Sequence, residues 1–364
     1  MTSLCTILCG TLALHAPDAH AAKKKKKKTH ALASSLRKSA SVHDNVHFSQ
    51  WKEVDAFIDR MAGRHGFDKA QLTSTFDQVR YVAAAIQLVK PAPPGRPKNW
   101  QAYRARFIEP HRIEAGVAFW DKYAAELARA EQEYGVPAEI IVGLLGVETI
   151  FGQNTGSYRV MDTLTTLAFD YPDTPNRVAR MEFFRSELEN MLLLARDAGL
   201  DPFLFKGSYA GAIGWPQFMP DSIRQFAVDF DGDGRIDLTD SAADAIGSVA
   251  HYLATHGWKK NLPIAFPATL TCGEERHADL TAALGRGLHA SYPLQDLKSL
   301  VSTASSEAPP NILYGLVNLE NGEEPTEYWL ATDNFYAITR YNRSYFYAMS
   351  VFDLGRVINA ARMK

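Results

Sequence analysis

The chain has 364 residues, 46% of them apolar and 22% charged, which excludes a disordered protein and is long for one compact unit, so two or three subdomains are expected. Lys and Arg number 39 against 41 Asp and Glu, a net charge of −2. Past the N-terminus the two signs are interspersed, so no broad basic field points to nucleic acid.

A short apolar run from Leu4 to Ala16 ends near Ala19-His20-Ala21, the small-x-small pattern of a signal-peptidase site, so residues 1–21 are expected to be a signal peptide and the protein exported to the periplasm. Acylation at Cys9 would need small residues before it, where Thr6-Ile7-Leu8 stand. Cleavage after Ala21 leaves Cys272 as the one remaining cysteine, so no intramolecular disulfide is expected. Residues 23–28 are six consecutive lysines within a Lys/Ser-rich stretch, 22–45, read as a flexible tether. Six like charges also offer electrostatic attachment to anionic envelope polymers or lipid headgroups.

From Trp51 the pattern turns helical, with Val54, Phe57, Ile58 and Met61 on one face of a segment assigned to 46–102. The run Pro91-Ala92-Pro93-Pro94-Gly95-Arg96-Pro97 ends it. Residues 103–258 carry mostly helical periodicity, broken at Gly135-Val136-Pro137, Tyr171-Pro172-Asp173 and Asp201-Pro202, and form the predicted catalytic core.

Within that core, residues 137–148 read as a helix whose first turn suits Pro137. Ile140, Leu144 and Glu148 recur at intervals of four, which sets a carboxylate on an aliphatic face. Desolvation there, together with the negative end of the helix dipole, raises a carboxyl pKa and favours a proton held near neutrality, as a general acid requires. A buried ion pair with Arg or Lys is the competing expectation for such a residue. Gly143 and Gly146 weaken the helix and point to close approach of another backbone.

Further along, residues 229–240 place Asp229, Asp231 and Asp233 at positions 1, 3 and 5 of an EF-hand-like loop. Gly234 stands at 6, Arg235 at 7 to offer its carbonyl, Ile236 at 8, and Asp240 at 12, where Glu is usual. Asp237 adds another carboxylate within it, and the implied ion is a structural Ca2+. No H-E-x-x-H spacing or G-x-S-x-G elbow offers a rival centre. Residues 259–332 change texture to short segments such as 265–271 and 312–319 around Asn321-Gly322, a small β-containing insert. Residues 333–364 return to the core through a helix with Met349, Phe352 and Val357 on an imperfect apolar face.

Four separated stretches then carry a resemblance: Val147-Glu148-Thr149-Ile150-Phe151-Gly152 with residues 163–172, the run Lys206-Gly207-Ser208-Tyr209-Ala210-Gly211-Ala212-Ile213-Gly214-Trp215-Pro216-Gln217-Phe218-Met219-Pro220, the acidic loop at Asp229, and Asn334-Phe335-Tyr336-Ala337-Ile338-Thr339-Arg340-Tyr341-Asn342. Together they resemble the membrane-bound lytic murein transglycosylase B family from Trp51 to Ala360. The resemblance implies a mainly α (α+β) fold, with a lysozyme-like helical core, an N-terminal helical subdomain and the small β insert.

It also implies an enzyme that cleaves peptidoglycan strands between N-acetylmuramic acid and N-acetylglucosamine without consuming water. One Glu, here Glu148, serves first as acid and then as base, closing a 1,6-anhydro ring. Ser208 and Gln217 match the family's polar residues beside the acid. Tyr103, Tyr252, Tyr341, Asn342 and Tyr347 match its glycan groove. Phe183 stands where a further groove Tyr is common, and Asp244 competes with Asp240 to close the calcium loop. A monomer without an organic cofactor is expected. A muramidase using water on the same bond, and a non-catalytic peptidoglycan-binding scaffold, remain the alternative expectations.

Overall fold

The computed structural model describes residues 47–91, 95, 97–303 and 308–364. The expected signal peptide and the tether lie outside the described residues. Short amphipathic helices open the fold: α1 (Lys52–His65), α2 (Lys69–Asp77), α3 (Ala83–Leu88) and α4 (Trp100–Arg104). Val54, Phe57, Ile58 and Met61 are all buried along α1, as their spacing predicts, and Gly66 ends it with φ of 69°, a left-handed turn that glycine takes without strain. Hydrogen bonds tie this part to the core, among them the Tyr81 hydroxyl to Asp170 at 2.6 Å, the Arg80 N–H to Asp162 at 3.0 Å and the Val82 N–H to Thr166 Oγ1 at 3.0 Å.

The core proper follows as α5 (Pro110–Lys122), α6 (Ala124–Tyr134), α7 (Ala138–Thr149), β1 (Tyr158–Arg159), α8 (Val160–Phe169), α9 (Arg177–Asp197), β2 (Lys206–Gly207), α10 (Pro220–Phe226) and α11 (Ala242–Thr255). α7 is enclosed nearly all round, which is why its sequence is apolar on every face, as a helix at the centre of a domain must be. The run 206–219, inside the stretch of helical periodicity, is not helical. Gly207 and Ile213, and Ile213 and Phe218, form isolated β-bridges, while Gly211 and Gly214 take φ of 89° and 73°. Glycine conformations outweigh periodicity here.

The insert is a five-stranded antiparallel sheet in the order β4-β6-β7-β3-β5, built from β3 (Ala265–Leu270), α12 (His277–Leu284), β4 (Tyr292–Pro293), α13 (Leu294–Leu297), β5 (Val301–Ser302), β6 (Leu313–Asn321) and β7 (Glu324–Ala331). The β6–β7 hairpin turns at Gly322, with φ of 66°. The sheet encloses a second apolar core around Phe266, Leu280, Leu297 and Tyr314, distinct from the large core of the helices.

The chain closes with α14 (Asp333–Tyr341) and α15 (Tyr345–Arg362), and α15 lies across α7. Its buried face is broader than its sequence suggests: Met349 and Phe352 are joined by Val351, Leu354 and Ile358. Among the described residues no helix is long and apolar enough to cross a membrane.

Candidate active site

The crossing of α7 with α15 is what builds the site. A Cβ on Gly143 would sit 2.2 Å from the Val351 carbonyl oxygen, and one on Gly355 would sit 2.1 Å from that of Glu139. Only glycine on both helices permits the backbones to come this close, which is the reason for helix-weakening residues at the heart of the core. Running in opposite senses from this contact, the two helices bring Tyr347 at the start of α15 to Glu148 in the last turn of α7. The Tyr347 hydroxyl donates to Glu148 Oε1 at 2.5 Å.

Glu148 retains partial exposure while α7 around it is buried. Burial pushes its pKa up to about 7, and the Tyr347 hydroxyl, by donating to the charged form, pulls the other way. No Lys, Arg or His among the described residues pairs with it, so the expected alternative of a buried ion pair is not realised. Oε2 has no protein hydrogen-bond partner among the described residues.

A raised pKa alone does not nominate an acid. Glu187 on α9 is pushed up to about 8 by burial, yet it is 2% exposed and its Oε2 accepts the Asp221 N–H at 3.0 Å, closing the first turn of α10. Glu187 is closed off from solvent, whereas Glu148 combines a raised pKa with partial exposure.

The backbone beyond Glu148 is held under strain. Ile150 and Phe151 take φ of 53° and 55°, in the left-handed region that costs a β-branched residue about 1–3 kcal/mol. Packing over-determines this turn. Thr149 Oγ1 donates to the Trp215 carbonyl at 2.9 Å and accepts the Gly152 N–H at 3.0 Å. The Trp215 ring lies where a Gly152 Cβ would stand, and Phe151 stacks on Phe119 at 5.0 Å. Thr149 and Trp215, absent from the expected site residues, thus fix the helix end that carries the acid. Their visible signals were a polar residue beside the Glu and an aromatic inside the glycine-rich run.

The other expected residues are distributed as follows. Gln217, at φ of 50° and 7% exposed, donates from Nε2 to the carbonyls of Thr155 at 3.1 Å and Gly214 at 2.9 Å, clamping the loop after α7 to the 206–219 run. Ser208 accepts the Ala212 N–H at 3.0 Å within its own loop.

Tyr341 stacks on Tyr347 with centroids 6.3 Å apart and donates to the Pro216 carbonyl. Tyr252 meets Tyr341 edge-on at 4.9 Å and donates to the Arg340 carbonyl at 2.9 Å. All three rings are buried, 3% exposed for Tyr252, 4% for Tyr341 and 3% for Tyr347, and together they form an aromatic wall that ends at the Tyr347 hydroxyl on Glu148. Half-buried Asn342 lies at the end of α14, with its carbonyl taken by the Ser344 N–H at 2.7 Å. Half-buried Tyr103 stands in a neighbouring group with Trp100, Phe107 and Phe346, joined to the acid through Phe346, which precedes Tyr347. Phe183 packs edge-on against Phe184 at 5.1 Å with the Arg180 guanidinium over its ring.

The acidic loop lies between α10 and α11. One carboxylate oxygen from each of Asp229, Asp231 and Asp244 falls within 4.8 Å of the others. Asp244 is 1% exposed and already oriented, accepting N–H groups of Phe230 at 2.7 Å, Asp231 at 3.3 Å and Asp237 at 2.8 Å. Burial raises its pKa, and the charge of Asp231 adds to that while the three N–H groups oppose it. Asp240 is exposed and outside this group. Asp233 and Asp237 turn their Oδ1 atoms to N–H groups of Arg235, and of Thr239 and Asp240. Arg235 is exposed.

Residues 48–356 match the transglycosylase SLT domain family. The chain is 41% identical over 326 residues to membrane-bound lytic murein transglycosylase B of Escherichia coli (strain K12), covering 87% of this chain and 85% of that protein. Among solved structures, the soluble lytic transglycosylase SltB1 of Pseudomonas aeruginosa superposes with a TM-score of 0.76 at 44% identity, over 86% of this chain and all of that one. The Escherichia coli lytic transglycosylase Slt35 in complex with calcium superposes with a TM-score of 0.74 at 40% identity, over 88% of this chain and 95% of that one.

Proposed function

Because the chain belongs to the transglycosylase SLT domain family and is a peptidoglycan lytic transglycosylase with a lysozyme-like fold, we propose that Glu148 is its single acid/base. The observation that supports this is a glutamate of partial exposure whose carboxyl is pushed up to about 7 by burial, held at one oxygen by Tyr347 and paired with no cation among the described residues.

In the first step the protonated Glu148 gives its proton to the oxygen linking N-acetylmuramic acid to N-acetylglucosamine, and the C1–O bond breaks. The sugar's own N-acetyl group stabilises the positive charge at C1, which removes the need for a second carboxylate. The Glu148 carboxylate then takes the proton of the muramic C6 hydroxyl, whose oxygen bonds to C1. This closes the 1,6-anhydro ring and returns Glu148 to its starting state, with no water consumed. A pKa close to neutrality serves both halves, since the group must give and then take a proton. Tyr347 orients the carboxyl, Tyr341 and Tyr252 support Tyr347, Ser208 and Gln217 shape the loop beside it, and Tyr103 and Asn342 border the glycan.

Asp229, Asp231 and Asp244 fit a hard divalent cation in donor type and proximity, so we assign them to calcium, with Asp244 in preference to Asp240. The ion would neutralise three converging carboxylates and clip α10 to α11. Export to the envelope, attachment through the lysine tract, and residues 259–332 as a separate small unit complete the proposal.

Glu148→Gln tests it. The variant is expected to lose release of soluble fragments from peptidoglycan by at least about 1000-fold while keeping its melting temperature and glycan binding. Turnover close to that of the wild type would remove Glu148 from the mechanism.

A further inference from the structure

At the ends of α7 and α15 remote from the acid lies a cavity of about 790 Å³. Along α7 the nine residues from Glu139 to Glu148 place it roughly 13 Å of helix rise from the proposed catalytic carboxyl. The volume is that of a small-ligand site. Its walls combine an apolar surface, with Phe352 and Trp258, and a ring of planar polar groups: Arg104, Glu139, Asp353, Arg356 and Asn359.

These groups are arranged in a definite way. Arg104 Nε pairs with Asp353 Oδ2 at 2.7 Å, and Asn359 Nδ2 donates to Glu139 Oε2 at 3.1 Å. Asp353 is thereby met by a cation and Glu139 by a neutral amide, so the two acids and two guanidinia of the lining balance in charge. Arg356 is exposed, lies 5.2 Å from the Phe352 ring, and has no acid within ion-pair distance among the described residues. Paired planar amides, carboxylates and guanidinia beside an aromatic edge suit a pyranose, whose faces are apolar and whose rim is hydroxyl and N-acetyl. A guanidinium held in no ion pair at the same cavity suits a carboxylate, which it can take bidentately.

The structure assigns this cavity to an accessory saccharide site for a carboxylate-bearing amino sugar, the N-acetylmuramic acid unit of a second stretch of peptidoglycan. Its occupant's identity rests on the glycan reading of the function. On an insoluble mesh, such a site tethers the enzyme to one strand while the groove works on another, raising the effective concentration of cleavable bonds.

The test uses Glu148→Gln protein, the peptide-free disaccharide of N-acetylglucosamine and N-acetylmuramic acid, and N-acetylchitobiose, which lacks the carboxylate. Binding is followed residue by residue by nuclear magnetic resonance. The disaccharide is expected to perturb two separate sets of residues, those around Tyr347 and those around Asn359, and chitobiose only the first. Adding Arg356→Ala to Glu148→Gln is expected to weaken the second set about tenfold without moving the melting temperature. In the otherwise wild-type enzyme, Arg356→Ala is expected to lower the ratio of activity on insoluble sacculi to activity on soluble short strands. Perturbation around Tyr347 alone, or a second set that Arg356→Ala does not weaken, would overturn the assignment and leave the proposed catalytic reading standing. An absence of anhydro products from the wild-type enzyme would instead remove that reading.

Discussion

At the scale of single residues, the proposed chemistry depends on a proton that burial retains and Tyr347 restrains. Glu148 must be protonated to begin the reaction, so kcat/KM is expected to fall as pH rises through about 7. The Tyr347 hydroxyl donates to the ionised carboxylate and so keeps its pKa below what burial alone would give. Tyr347→Phe is therefore expected to move the basic limb of the pH–rate profile upwards, and to lower kcat about tenfold through lost orientation of the carboxyl. An unmoved limb would separate Tyr347 from the acid. The carboxyl's apolar setting was legible in the sequence because Ile140, Leu144 and Glu148 share a helix face. Tyr347 entered only through the resemblance, as a groove residue, and its bond to the carboxyl was not legible, since it lies 199 residues away and the α7–α15 crossing brings it close.

At the scale of elements, that crossing is decided by atoms that are missing. Gly143→Ala would drive a methyl group into the Val351 carbonyl, and neither backbone can give way without separating α7 from α15. The expected cost is roughly 1–3 kcal/mol of stability, read from denaturant unfolding, with a loss of activity from displaced Tyr347. Gly63 in α1 makes the contrast: a Cβ there meets nothing within 4 Å, so Gly63→Ala is expected to stabilise the protein by about 0.5–1 kcal/mol. The same reasoning explains what sequence periodicity misread. Helical spacing predicted α1 and α7, but between residues 206 and 219 positive-φ glycines and the clamp at Gln217 impose a loop whose form depends on tertiary partners. The short strands of the insert were visible as segments, while their order, β4-β6-β7-β3-β5, depends on pairings remote along the chain.

At the scale of the whole molecule, two apolar cores and a cluster of converging acids share one chain, and the proposed catalytic residue ends a helix buried in the larger core. Chelation is expected to lower the melting temperature by several degrees without abolishing activity at modest temperature, because an ion bound only to the folded state stabilises that state. An unchanged melting curve would exclude calcium as a clip. The loop's acids were evident from their spacing, yet the proposed preference for Asp244 over Asp240 rests on the fold, which buries Asp244 at the start of α11 and leaves Asp240 outside the converging acids. The most direct test of a single carboxyl acting in both steps is the mass spectrum of fragments released from peptidoglycan. The account predicts muramic ends one water lighter than reducing ends, formed by the wild-type enzyme and absent with Glu148→Gln; reducing ends in their place would contradict it.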